Sequence, residues 1–77
     1  MRKKQYTLNK SVNSRITQNI RRLLKRRDWT LVRLANESEM DSSNLYNMFN
    51  GRINYTIRAL VGLSGALEVD IVELFKK

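Results

Sequence analysis

Residues 41–51, DSSNLYNMFNG, decide the fold of this chain. Leu45, Met48 and Phe49 recur at the spacing of one helix face, while Asp41 and Gly51 suit the two ends of that helix. The opposite face then carries serine, asparagine and one tyrosine, without a charged side chain. Ser and Asn form helices less well than the Lys and Glu of most solvated helices, so their accumulation here requires a reason. One reason is hydrogen bonding to base edges in a duplex, and the plain alternative is a surface helix rich in capping residues.

Positive charge is concentrated in the first third of the chain. Residues 1–27 contain ten Lys or Arg and no acid, whereas residues 28–77 contain five basic and seven acidic residues, giving the net charge of +8. Such a field attracts polyanions over long distances. A solvated helix face with a disordered tail is the alternative interpretation of the same charges.

Length and composition exclude several classes of protein. With 77 residues the chain is expected to form one small domain without a deep catalytic cavity. It contains no Cys and no His, which argues against disulfides, zinc sites and the usual general base. We therefore expect no enzyme activity, catalytic residues, metal or cofactor. The basic start lacks the apolar core of a signal peptide, and residues 59–69 are too short to span a bilayer, so a cytoplasmic protein is expected.

The pattern along the chain predicts five short helices. Residues 1–13 are expected to be a flexible basic arm, and residues 14–77 the folded domain. Helix one is predicted from Ser14 to about Arg27, because apolar residues recur on one face: Ile16, Ile20, Leu23 and Leu24. The other helices are predicted to begin after the capping residues Thr30, Asp41, Thr56 and Asp70. Because no segment alternates as a strand would, the predicted fold class is all-α.

The ordered set of these features resembles the helix-turn-helix domains of the λ-repressor and Cro class, also called the XRE family. The resemblance runs from Ile16 to Phe75 without a gap, and no single element of it is specific. The matching positions are Ile20, Leu23, Thr30, Leu34-Ala35, Asp41 to Leu45, Asn50-Gly51, Ile57, Leu60-Val61, Ala66-Leu67, Val69, Ile71 and Glu73-Leu74-Phe75.

The resemblance implies a five-helix λ-repressor-like DNA-binding domain whose third helix lies in the major groove of double-stranded DNA. Carried over by position, the residues expected to contact bases are Ser42, Ser43, Asn44, Tyr46 and Asn47. Those expected to contact phosphates are Thr30, Asn50, Arg52, Asn54 and Arg58. The basic arm, with Arg2, Lys3 and Lys4, is expected to wrap the duplex or enter its minor groove.

The chain departs from the family pattern at several positions. Leu31 replaces a Gln that braces on DNA in many members. Glu39 and Glu68 replace turn glycines, so each is expected to accept a positive φ at a cost of about 1 kcal/mol. At the positions of Leu24 and Phe49 many members carry an Arg–Glu pair, and we predict that these two side chains form an apolar contact instead.

The function implied is that of a small Cro-like or phage-type repressor acting on a palindromic operator. Two copies would be needed to read a useful length of DNA, so a homodimer is expected, at least on DNA. Its surface is expected around Val72, Phe75 and the end of helix four. No membrane and no small-molecule ligand are expected as partners. An antitoxin or other protein-binding module on the same fold is the alternative.

Overall fold

The computed structural model of the chain describes the backbone of residues 2–77 and the side chains from Lys10 onward. These residues form four α-helices, Arg2–Arg27 (α1), Leu31–Glu37 (α2), Ser42–Phe49 (α3) and Ile57–Leu67 (α4), followed by a 3₁₀ helix at Ile71–Phe75. No strand occurs within residues 2–77, so the all-α fold class is confirmed. The fifth predicted helix is a 3₁₀ helix instead of an α-helix. Its segment is only five residues long, and 3₁₀ helices occur in short pieces of the chain.

The first helix is longer than the sequence predicts. The predicted start at Ser14 is wrong, because α1 begins at Arg2 and helical backbone runs through residues 2–13, the segment expected to be a flexible arm. The apolar pattern marks only the packed part of a helix, and Arg, Lys, Gln and Leu extend a helix that is already nucleated. The side chains of Arg2, Lys3 and Lys4 lie outside the described residues. Although α1 has 26 residues, no described helix is both long and apolar enough to cross a bilayer.

Every helix contributes apolar side chains to one core. The largest fully buried side chains are Ile16 and Ile20 of α1, Leu34 of α2, Leu45 of α3, Leu63 and Leu67 of α4, and Leu74. Burying each such side chain stabilises the fold by roughly 1.5–3 kcal/mol relative to leaving it in water. The short helices α2 and α3 thus owe their stability to packing, and this packing fixes their outward faces.

Side-chain caps and left-handed residues set the ends of the helices as the sequence predicts. The side chains of Thr30, Asp41, Thr56 and Asp70 each accept a backbone N–H from the first turn that follows. Three non-glycine residues, Asp28, Glu39 and Glu68, have φ of 58°, 55° and 57°. The predicted positive φ is therefore confirmed at both glutamates that replace a family glycine.

Candidate nucleic-acid interface

Helices α2 and α3 form a unit joined by a short turn. Leu34 and Ala35 bury α2 in the core, and the Met40 amide donates to the Ala35 carbonyl at 2.8 Å, closing the turn. Glu39 makes the turn possible through its left-handed backbone. Asp41 then begins α3 by accepting the Ser43 amide at 2.9 Å. These local bonds fix the direction of α3 relative to α2.

The two faces of α3 differ sharply in exposure. Leu45 is fully buried and Met48 nearly so, which anchors the helix to the core. The residues expected to contact bases lie on the outer side: Ser42, Ser43, Asn44 and Tyr46 are exposed, and Asn47 is half-buried. The outer face of α3 is thus uncharged and rich in hydroxyl and amide groups. Such groups can both donate and accept hydrogen bonds with base edges.

A shallow depression lies between α2 and this face of α3. It is lined by Leu31 and Val32 of α2 and by Ser42, Ser43, Tyr46 and Asn47 of α3. The structure therefore brings four of the five expected base-reading side chains together beside Leu31, the residue that replaces the family Gln. Val32, which is 60% exposed, was not singled out from the sequence. Its signal is a large apolar side chain on the polar side of α2, next to the capped start of the helix.

The loop between α3 and α4 carries two of the expected phosphate contacts. Asn50 ends α3, and Gly51 follows with φ of 85°, the left-handed conformation that glycine adopts without strain. The Arg52 amide donates to the Asn47 carbonyl at 2.9 Å, so the loop folds back on the last turn of α3. The Arg52 and Asn54 side chains are exposed.

Helix α1 holds this loop in place from the opposite side. The Asn13 amide group donates to Asn54 Oδ1 at 2.5 Å, while its own oxygen accepts the Tyr55 amide at 3.4 Å. The hydroxyl groups of Thr17 and Tyr55 share a buried hydrogen bond of 2.8 Å. Burial raises the pKa of the Tyr55 hydroxyl, although the Thr17 hydrogen bond and the Arg21 charge act in the opposite direction. Sequence reasoning missed Asn13, Thr17 and Tyr55, because their partners lie about forty residues away.

The remaining expected phosphate contacts, Thr30, Asn50 and Arg58, lie at the start of α2, the end of α3 and the start of α4. Thr30 is exposed, and its hydroxyl oxygen already caps α2 by accepting the Arg33 amide at 3.1 Å. Arg58 is exposed on the first turn of α4. Asn50 is also exposed, and its side-chain oxygen accepts the Arg52 amide at 3.4 Å. The five expected residues thus lie at helix ends or in the loop, all accessible to solvent.

Acidic residues near the turn are partly compensated. Glu37 forms an ion pair with Arg33 at 3.8 Å one helical turn away. The side chains of both are about half exposed, so the pair contributes little to stability. Its effect is to reduce the negative charge next to the candidate interface. Glu39 and Asp41 remain exposed beside it.

Phe49 lies where many family members carry an acid. It packs against the core to which the buried Leu24 belongs, so both side chains lie in one apolar region. Whether they touch directly stays a prediction. The ring also has a cationic partner, because the Arg21 guanidinium lies 5.0 Å from its centroid. A cation–π contact of this kind contributes roughly 0.5–1 kcal/mol at an exposed site.

Two short helices joined by a four-residue turn, with the second helix presenting a polar outer face, define a helix-turn-helix DNA-binding unit. The family model of the Cro/C1-type HTH DNA-binding domain matches residues 19–76, which is most of the chain. The chain belongs to this family, and it is a DNA-binding regulator. No curated protein and no solved structure matches the chain significantly.

Proposed function

We propose that this protein is a sequence-specific transcriptional repressor that binds double-stranded DNA with α3 in the major groove. The observation that carries the proposal is the outer face of α3, where Ser42, Ser43 and Asn44 are exposed and uncharged above a buried Leu45. The major groove admits one α-helix and offers a distinct set of donors and acceptors for each base pair. Asn suits adenine, since it can donate and accept at once, and Ser is compatible with several bases.

The depression beside α3 adds apolar recognition to this set. Val32 and Tyr46 are 60% and 63% exposed, and both lie beside Asn47. In the major groove the thymine methyl group is the apolar feature available for such side chains. Leu31 then takes a different role from the Gln usual at its position, because it can pack against a base or sugar but cannot brace by hydrogen bonds.

Phosphate contacts would set the register of α3 on the duplex. Arg52 offers a charged donor from the loop, and Asn54 keeps its amide N–H groups available because Asn13 binds its oxygen. Thr30, Asn50 and Arg58 are accessible at the neighbouring helix ends. Contacts of this type position a protein on DNA without reading its sequence. Specificity would therefore rest on α3 and affinity largely on the basic residues.

The repressor would act as a homodimer on a palindromic operator. One short helix reads only a few base pairs, so two copies with recognition helices about 34 Å apart are needed for useful specificity. Val72 and Phe75 of the 3₁₀ helix are 55% and 37% exposed, which supports a dimer surface there. Occupying a promoter in this way would block transcription without any ligand.

The test is substitution of Asn47, with Asn36 as a matched control. Asn47→Ala is expected to weaken binding to a selected operator by roughly 1–3 kcal/mol, about 5- to 150-fold, and to leave binding to random DNA unchanged. Asn36 is exposed on α2 outside the depression, so Asn36→Ala should change neither affinity. Equal losses on operator and random DNA would refute a reading role for Asn47.

A second candidate, a protein-binding module such as an antitoxin, is favoured by one observation. Ile57 and Val61 lie one turn apart on α4 and are 77% and 58% exposed. Exposed apolar pairs on a short helix suit a protein partner. Substituting both with Ser would abolish such an association while leaving α3 and the loop intact. If the monomeric double variant also lost DNA binding, the protein-binding surface on α4 would not be separate from the DNA-binding surface on α3.

A further inference from the structure

A basic groove runs along α1. We call it the α1 groove, and it is formed by α1 between Lys10 and Arg22, the end of α3 and residues Lys76 and Lys77. Six of its lining residues are basic and none is acidic: Lys10, Arg15, Arg21, Arg22, Lys76 and Lys77. Six cations in one groove repel one another and create a positive potential that attracts a polyanion.

Buried hydrogen bonds build the α1 groove from distant parts of the chain. Asn19 is 2% exposed, and its amide group donates to the carbonyls of Leu74 and Lys76, each at 2.8 Å. Its side-chain oxygen accepts from Arg22 at 2.6 Å. Asn19 therefore fixes the backbone of the terminal lysines against α1 and orients Arg22 beside them. The groove is part of the fold and not a chance approach of mobile side chains.

The basic side chains of the groove form few ion pairs with acidic side chains of the protein. Among the ion pairs of the described residues, only Lys76–Glu73, at 2.7 Å, involves a member of the α1 groove. No acid precedes Asp28 in the sequence, so α1 itself supplies none. The positive charge of the groove is thus left for an external partner.

The α1 groove is continuous with the candidate reading surface. Asn50 and Gly51, at the end of α3, line one side of it. Lys10, Arg21 and Lys77 are exposed, so the groove is an open track and not an enclosed pocket for a small anion. A phosphodiester backbone fits both features, since it presents one charge after another along a line.

We propose that the α1 groove binds the phosphodiester backbone of the operator beyond the base pairs that α3 reads. This inference rests on the proposed function and extends it, because it adds α1 and the terminal lysines to the interface. It also gives the positive charge of α1 a direct contact role in place of long-range attraction alone.

The test compares two variants with the same change in charge. Lys10→Gln with Lys77→Gln removes two exposed groove cations that form no hydrogen bond or ion pair among the described residues. Lys25→Gln with Arg26→Gln removes two exposed cations of α1 outside the groove. Binding is measured by fluorescence anisotropy over a range of salt concentrations, on the operator duplex and on random duplex. The groove variant should reduce the log–log salt slope by about 1.8, or about 0.9 for each lost contact, and the control variant should leave it unchanged.

A duplex series locates the contact. Shortening the operator duplex one base pair at a time should weaken the wild type once the flanking phosphates are lost, while the groove variant should be insensitive to that same step. Equal slope changes in both variants would overturn the proposal in favour of a diffuse field. An unchanged slope in the groove variant would also overturn it, as would saturable binding of inorganic phosphate in the groove without any effect on duplex binding.

The failure of this inference is distinguishable from that of the proposed function. The groove variant should lose affinity on operator and random duplex alike, because a backbone contact carries no sequence information. If the wild-type protein bound all DNA sequences equally, the proposed repressor function would be refuted. The slope difference on random duplex would still decide whether the groove binds the backbone.

Discussion

Removing the side chain of Asn19 is expected to destabilise the domain more than any surface change of equal size. Asn19→Ala deletes two hydrogen bonds of 2.8 Å to the Leu74 and Lys76 carbonyls and the bond from Arg22. Each of the first two contributes about 1 kcal/mol, and the buried Leu74 carbonyl left without its partner costs roughly a further 1 kcal/mol. Alanine returns about 0.5 kcal/mol through its higher helix propensity. The expected net loss is about 2–3 kcal/mol.

Urea and thermal unfolding measure this loss. For a domain of this size the melting temperature should fall by roughly 8–24 °C, since each 1 kcal/mol corresponds to about 4–8 °C. Asn36→Ala is the matched control, because Asn36 is exposed in α2 and should change the unfolding free energy by less than about 0.5 kcal/mol. Asn19→Asp keeps the shape of the side chain but points a carboxylate at two carbonyls, so its loss should exceed that of Asn19→Ala. If Asn19→Ala and Asn36→Ala are equally stable, the role assigned to Asn19 is refuted.

Three further predictions follow from single residues. Glu39→Gly should raise the unfolding free energy by about 0.5–1 kcal/mol in urea, because relief of the left-handed backbone exceeds the entropy cost of glycine; a decrease would contradict the strain at φ of 55°. Tyr55→Phe should reduce the fall in unfolding free energy that the wild type shows as the pH becomes alkaline. Because the pKa of Tyr55 is raised in the folded state, its contribution to stability is complete below the ordinary tyrosine pKa and is lost as the pH rises through the folded-state pKa. Parallel profiles of unfolding free energy against pH for wild type and variant above about pH 10 would contradict this prediction. Arg52→Gln should reduce the log–log salt slope of DNA binding by about 0.9 on operator and random duplex, and an unchanged slope would show that Arg52 contacts no phosphate.

The features predictable from the sequence are those encoded by neighbouring residues. Thr30 and Asp41 cap their helices as expected, since a capping side chain needs only an amide two or three residues ahead. The buried position of Leu45 follows from the 3.6-residue period of α3. Glu39 and Glu68 have the expected positive φ because a family turn leaves no other conformation at those positions.

The features that the sequence did not predict depend on contacts between distant segments. Asn13 and Asn19 look like ordinary polar residues of a basic helix, yet their partners lie 41 to 57 residues away. The Thr17–Tyr55 bond is hidden for the same reason. The start of α1 was missed because residues 2–13 carry few apolar residues, and apolar spacing reports packing and not helix formation. The α1 groove forms only in the folded chain, where Lys76 and Lys77 lie beside α1.

The central claim is that the outer face of α3 reads base edges, and selection of bound duplexes from a random DNA pool tests it most directly. The wild-type protein should enrich a short motif, repeated as an inverted pair about one helical turn apart, and Asn47→Ala should lose its preference at one position of each half-site. The claim would be contradicted if the wild-type protein enriched no motif. It would also be contradicted if the Asn47→Ala and Ser43→Ala variants both enriched the wild-type motif unchanged at every position.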